Sequence, residues 1–175
     1  MNEDILVRLI DAATTDAAAN EVTPPLTDDG EWSAARITWL RDFHRARRGG
    51  LDGPEAEATW AILTGNEVVG SVRLKRTGSP RVLETGIWIR RSHRERRAGQ
   101  EALAAVLREA SSLGYDEVCA ETGGSNTAAQ ALLRKLGFTP SAADGTDRVW
   151  ASLVLTDIPG PAVSRFPQDG TEQPQ

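Results

Sequence analysis

Hydrophobic positions along this chain change period several times, and each change marks an element. Ile5, Val7 and Leu9 alternate with Leu6, Arg8 and Ile10, a rhythm that predicts a first strand. Thr14-Thr15-Asp16 offers a cap ahead of a short Ala-rich turn, and Thr23-Pro24-Pro25 and Asp28-Asp29-Gly30 interrupt regular structure. A helix is predicted from Ser33 to about Arg48, with Ile37, Leu40 and Phe43 inward and Trp39 beside them; Gly49-Gly50 stops it, and an acidic loop runs to Glu57. Thr59–Leu63 and Val68–Leu74 flank a four-residue turn and predict a hairpin. Val82–Ile89 is the next strand. Leu103, Val106, Leu107, Ala110 and Leu113 then recur at three and four, predicting a helix from near Gln100 that Gly114 closes.

A strand over Asp116–Glu121 follows that long helix, so it should lie parallel to the strand before, through a right-handed crossover. Gly123-Gly124-Ser125-Asn126 opens a second helix with Ala129, Leu132, Leu133 and Leu136 on one face, ended by Gly137 with Phe138 as its apolar contact. Arg148–Leu155 is the last strand. From Pro159, Pro, Gly, Gln and Ser dominate, which predicts a disordered tail over 159–175 after one domain spanning 1–158. The fold class is α/β (α+β): a mixed, partly parallel sheet flanked by helices.

Between the strand ending at Ile89 and the following helix lies Arg90-Arg91-Ser92-His93-Arg94-Glu95-Arg96-Arg97, with five Arg against one Glu. The first amides of a helix lack partners within it, and the helix dipole is positive there. Arginines and the small pair Ala98-Gly99 at such a point suit a phosphate or pyrophosphate. Composition bears on this reading in two ways. The 175-residue chain carries a net charge of −5, so the +4 of this stretch leaves −9 elsewhere. A local reversal of sign fits a confined anionic ligand and argues against nucleic acid, which needs a broad basic face. Yet basic residues are almost all Arg throughout, so Arg richness alone carries little weight. One Cys, Cys119, excludes an internal disulfide and fits a reducing, cytoplasmic setting; no apolar run approaches membrane-spanning length. No metal site is read.

The segment from Val82 to Phe138 resembles the GNAT superfamily of acyl-CoA-dependent N-acetyltransferases. Arg94-Glu95-Arg96-Arg97-Ala98-Gly99 is similar to the family's pyrophosphate loop, and Asn126 through Leu136-Gly137-Phe138 to its later helix. The loop departs from the pattern at Arg97, which stands where the family keeps a glycine; a side chain is tolerated there if φ is negative. Leu133 occupies the position where many members carry a Tyr as general acid. Glu84-Thr85-Gly86-Ile87-Trp88-Ile89 looks like the branch of ribosomal-protein and spermidine acetyltransferases, which often has a Glu at the position of Glu84 and lacks the Tyr.

The resemblance implies acetyl-CoA as co-substrate and transfer to a primary amine of a small molecule or protein N-terminus by direct attack. It assigns cofactor binding to Ile87, Trp88 and Ile89 on the strand, to Arg94, Glu95, Arg96, Arg97, Ala98, Gly99 and Gln100 in the loop and helix start, with Arg91 as a further cation, and to Asn126, which could equally be a plain helix cap. Deprotonating an amine of pKa roughly 10.4 calls for a carboxylate: Glu84 first, Glu121 second. No general acid is evident, Tyr115 lying at the far end of its strand. His44 and His93 are read as surface histidines, and Cys119 as packed in its strand. Acidic residues around the early helix (Asp28, Asp29, Glu31, Asp52, Glu55, Glu57) suggest a cationic acceptor, unless they are simply a solvated face. A homodimer is left open, no membrane or nucleic-acid partner is expected, and the rival reading is a non-catalytic acyl-CoA-binding module.

Overall fold

The computed structural model describes residues 1–26, 29–141 and 147–155. Asp28 and the expected tail lie outside them. A six-stranded mixed sheet has the order β1-β2-β3-β4-β6-β5, with β1 Glu57–Thr64, β2 Glu67–Arg76, β3 Val82–Ile89, β4 Glu117–Gly123, β5 Thr139–Pro140 and β6 Arg148–Val154. The β1–β2 hairpin is antiparallel, β2 pairs antiparallel with β3, and β3 with β4 is the one parallel step of the sheet. The two-residue edge strand β5 escaped the sequence reading because it is short and contains a proline.

Helices α4 (Ala98–Ser112) and α5 (Thr127–Lys135) cover one face. Leu103, Val106, Leu107 and Ala110 of α4 and Leu133 of α5 join Ile62, Leu74, Leu83, Val118 and Leu153 in the main core. Burying such side chains contributes roughly 1.5–3 kcal/mol each relative to exposure. Helix α4 begins at Ala98, two residues before the expected start. Leu113 is its C-cap and stays 52% exposed, so it leaves the predicted apolar face. Both helices end on a left-handed glycine. Tyr115 N–H bonds the Ala110 carbonyl past Gly114, and Phe138 N–H bonds the Leu133 carbonyl past Gly137, which buries Phe138.

The opposite face carries α1 (Glu3–Asp16), α2 (Ala19–Val22) and α3 (Ala34–Ala46). The first strand expected over Ile5–Ile10 is helix instead. Leu6, Leu9, Ala12 and Ala13 recur at helical spacing and are buried, and the Asn2 side chain accepts from Ile5 N–H at 2.9 Å to start the turn. Apolar residues at five of the six positions from 5 to 10 satisfy either period; the continuation to Ala13 decides between them. Thr14, expected to begin a helix, bonds back to the Ile10 carbonyl inside α1. No helix among the described residues is long and apolar enough to cross a membrane.

Helix α3 starts on a Ser33 cap as expected but buries Arg36, Leu40 and His44, while Ile37 and Phe43 are only half-buried. Fully buried Arg36 donates to Thr23 Oγ1 (2.8 Å), the Pro24 carbonyl (3.2 Å) and Asn20 Oδ1 (2.8 Å), pinning the chain that leads from α2. His44, read as a surface histidine, is 3% exposed, with Nδ1 3.0 Å from Thr59 Oγ1 of β1. Its position one turn after Leu40 puts it on the inward stripe.

Burial pushes the His44 imidazole down to about 4, with Arg47 and the chain's N-terminus adding to the effect. The unfolded chain therefore takes up this proton at a higher pH than the folded one. Stability from His44 is complete above the ordinary histidine range and is lost as pH falls from about 6.5 towards 4. Between pH 7 and pH 5 the loss is roughly 2 kcal/mol. Denaturant unfolding of His44→Gln, which keeps a hydrogen-bonding group without the titration, should show a pH 7-to-5 loss smaller than wild type by about that amount; equal losses would refute the assignment.

Candidate active site

The parallel ladder between β3 and β4 runs only from Val82↔Glu117 to Thr85↔Ala120. Beyond it each strand keeps its other partner: β3 stays on β2 to Ile89↔Gly70, and β4 stays on β6 to Gly123↔Arg148. A gap therefore opens between Gly86–Ile89 and Glu121–Gly123. Arg90 N–H bonds the Val69 carbonyl at 2.9 Å. The alternation of an antiparallel ladder then turns the main-chain groups of Ile87 and Ile89 away from β2, into the gap. Trp88 does the reverse. Its carbonyl points at β2, so close to Gly70 that a Cβ there would lie 2.2 Å from it, and its side chain packs on α1 beside Leu6, Leu9 and Val68. Of the three strand residues named from the sequence, two thus present backbone to the gap.

At the wide end of the gap sits the start of α4. Its cap residue, Arg97, makes no side-chain cap to the first-turn amides, and the intrahelical ladder begins with Glu101 N–H on the Arg97 carbonyl. Ala98, Gly99 and Gln100 form that first turn. A Cβ added to Gly99 would lie 3.5–3.8 Å from Leu132, Ile89 and Ile87, so α4, α5 and the end of β3 converge there. Arg97 has φ 66° and Glu95 φ 64°. The negative φ expected at Arg97 is thus not adopted: the loop demands the left-handed backbone that glycine supplies freely, at roughly 1–2 kcal/mol for any other residue.

The arginines of the loop divide into two groups. Arg90 pairs with Asp16 (3.1 Å) and Glu67, while Arg94 pairs with Glu21 (2.6 Å) and donates to the Ile89 carbonyl (3.0 Å). Ser92 gives its hydroxyl and its amide to Asp16, and His93 lies 3.5 Å from Glu67. The Ser92 hydrogen bonds, with Arg90, hold the Asp16 carboxyl down to about 2. These contacts fasten the loop to α1, α2 and β2. Arg91, Arg96 and Arg97 make no ion pair among the described residues and are exposed. They are the cations left for a ligand. Arg94, named as a phosphate partner from the sequence, is occupied by Glu21.

On the α1–α3 face, a cavity of about 410 Å³ reaches the gap, bordered by Trp39, His44, Glu57, Arg73, Trp88 and Glu121. Glu121 follows Ala120, the last β4 residue paired with β3, next to the gap, and Arg148 pairs with its Oε1. Glu84 lies lower on the same face, gripped by Arg73. The Arg73 side chain crosses Gly86, where a Cβ would come within 2.7 Å of its Nε. Arg73 also reaches buried Glu57 (3.3 Å), which Arg47 Nε holds at 2.5 Å. This chain, Arg47–Glu57–Arg73–Glu84, was missed in the sequence. Its signal was faint: charged Glu57 and Arg73 share a strand face with Thr59 and Ser71.

Asn126 is the N-cap of α5, accepting from Ala129 N–H at 3.1 Å. Leu133 is buried in the core and Tyr115 packs against that core at the opposite end of β4, so neither position offers an acid to the gap. On Cys119, burial first and the Glu84 charge second push the thiol up.

A family model for the acetyltransferase (GNAT) domain matches residues 4–139. Among solved structures, the chain resembles RimJ of Mycobacterium smegmatis, crystallised with CoA-disulfide, at TM-score 0.70 and 18% identity over 91% of this chain and 81% of that one. It resembles the GNAT domain of S. lividans PAT at TM-score 0.68 and 15% identity (88% and 87% covered), and spermidine N-acetyltransferase SpeG of Vibrio cholerae at 0.66 and 13% (89% and 93%). No curated protein matches the sequence. With the family model spanning most of the chain and the sheet opening where its loop meets a helix start, the protein belongs to the GNAT acetyltransferase family.

Proposed function

We propose that this protein transfers an acetyl group from acetyl-CoA to a primary amine of a small molecule or a protein N-terminus by direct attack, in the manner of the ribosomal-protein and spermidine acetyltransferase branch. The observation that carries this reading is the gap between β3 and β4, which ends at a helix start without a side-chain cap beside three arginines free of ion pairs. When bound, acetyl-CoA supplies a thioester acyl group and a thiol leaving group. The first-turn amides Ala98–Gln100 and the loop Arg94–Arg97 receive its phosphates, with Arg91, Arg96 and Arg97 as charge partners. The gap-facing main chain of Ile87 and Ile89 lines its arm, and the Asn126 side-chain amide keeps its N–H donors for the same ligand while its oxygen caps α5.

The amine must lose a proton before it attacks, and the carboxylates of the α1–α3 face accept it. Glu121 stands at the gap with one oxygen on Arg148; Glu84 reaches it through the Arg73 side chain. With Leu133 in the core, the leaving thiol, of pKa near 8.5, departs as thiolate and takes its proton from water. The domain spans 1–158, the remaining residues being dispensable, and Cys119 as a lone free thiol accords with the cytosol.

Acetyl-CoA at 100 times its Kd should stabilise the fold by about 2.7 kcal/mol, or roughly 5–10 °C in Tm for a chain of this size. Gly99→Glu, which sets a carboxylate and bulk between Ile87, Ile89 and Leu132, should erase the shift. A mutant that shifts as wild type does would place the cofactor elsewhere.

Replacing the base by its amide preserves shape and separates the two carboxylates. Whichever of Glu121→Gln and Glu84→Gln removes the base should lower turnover by about 10²–10⁴ while leaving acetyl-CoA binding intact, with partial recovery at high pH where more amine is neutral. Arg73→Met should impair activity if Glu84 is the base and spare it if Glu121 is. Acetyl-CoA binding without thiol release from any amine would establish the binding-module reading, which Leu133 favours.

A further inference from the structure

We infer that the acceptor amine is borne on a flat aromatic or apolar body that lies on a shelf formed by Trp39 and Phe43, with the amine directed towards Glu121. This rests on the acetyl-transfer reading and names its substrate class. Trp39, Phe43 and Arg47 stand one turn apart along the same side of α3. The Trp39 and Phe43 rings stack at 4.9 Å and 25°, and the Arg47 guanidinium lies 3.6 Å over the Phe43 ring. All three border both the inner cavity that reaches Glu121 and an outer cavity of about 690 Å³. Leu26, Ala34 and Ala35 complete the outer wall, leaving Thr38, Asp42 and Arg47 as its polar members. The core does not require these rings. Helix α3 buries Arg36, Leu40 and His44, and the aromatic pair is held half-open to a concave surface. Phe43 lies between Trp39 and Arg47, so the pair offers a planar apolar ligand the Trp39 ring and the Phe43 edge in an open concavity.

The charges lining the two cavities do not favour the polycation that the acidic sequence suggested. Glu57 is held by Arg47 and Arg73, Glu121 by Arg148, Glu21 by Arg94, Asp52 by Arg76 and Glu55 by Arg47. The inner cavity has as many cations as carboxylates, since Lys75 joins Arg47 and Arg73 in lining it. Among the described residues Asp42 is the one carboxylate bordering either cavity without an ion pair, and it lies on the outer rim. A single exposed charge does not reward the several cations of a polyamine, whereas one amine next to Glu121 needs no more.

The test measures thiol release from acetyl-CoA with 2-phenylethylamine, tryptamine, ethylamine and spermidine. The aromatic amines should exceed spermidine in kcat/KM by at least about tenfold. Trp39→Ala should lose roughly tenfold on them, near the upper worth of one aromatic contact, with ethylamine turnover and the KM for acetyl-CoA unchanged. Trp39→Phe, which keeps a ring, should restore most of the loss, and Asp42→Asn should change nothing. A preference for spermidine, or a Trp39→Ala variant that loses equally on every amine, would overturn the shelf. If no amine releases thiol, calorimetry of 2-phenylethylamine with the CoA-loaded protein decides. Binding that Trp39→Ala abolishes upholds the shelf and removes the transfer reading; absence of binding in wild type removes the shelf.

Discussion

Strands β3 and β4 begin side by side and then part as each follows its outer partner, and the proposed function depends on that divergence. From Thr85 and Ala120 onward, β3 stays with β2 and β4 stays with β6. Main-chain groups that would have bonded across the sheet are left facing an opening. The Ile89 carbonyl takes the Arg94 Nε–H, and the remaining groups suit a ligand able to imitate a strand. The helix start that terminates the gap adds a second set of amides in want of acceptors. A polar slot ending at a helix start follows from sheet geometry before any side chain is considered.

Arginine then does several unlike jobs on this scaffold. Arg36 is sealed inside as a donor to two side-chain oxygens and a carbonyl. Arg47 and Arg73 sandwich the buried Glu57 and, through Glu84, extend an alternating chain of charge across the α1–α3 face of the sheet. Arg90 and Arg94 fasten the loop, and Arg91, Arg96 and Arg97 make no ion pair among the described residues. The planar, multiply donating guanidinium suits shared pairs of this kind better than lysine, which accounts for a basic complement built almost wholly from one residue type.

Apart from the short β5, the half of the chain from β1 to β6 was legible in the sequence because its periods are unambiguous and its stops are glycines with one conformational purpose. The gap was not legible, since it depends on where the pairing of β3 with β4 stops. The first ten residues were not legible by themselves: their apolar positions satisfy two periods at once, and the helical face emerges from its continuation to Ala13 and its packing against Val68 and Trp88. His44 could have been found by counting four from Leu40. The ion pairs could not, since they join residues that only the fold brings together. The carboxylate next to the gap follows from register, which a sequence fixes only after the strand pairing is known. The backbone at Arg97 also ran against expectation, because a local preference was overruled by a loop held at both ends.

That holding has a consequence for the order in which the protein assembles. The bonds that secure the Arg-rich loop reach Asp16 and Glu21 across 73 to 76 residues of chain. Contacts of such separation are closed late and at high entropic cost, while α4 and the hairpin are built from near neighbours. The loop is therefore a late and shallow part of the folded state, the region that opens first when the N-terminal helix lifts. Amide exchange in residues 91–97 reports on the docking of a helix remote from them in sequence, so the shape of this loop is a property of the whole domain and cannot be carried by the segment that spells it.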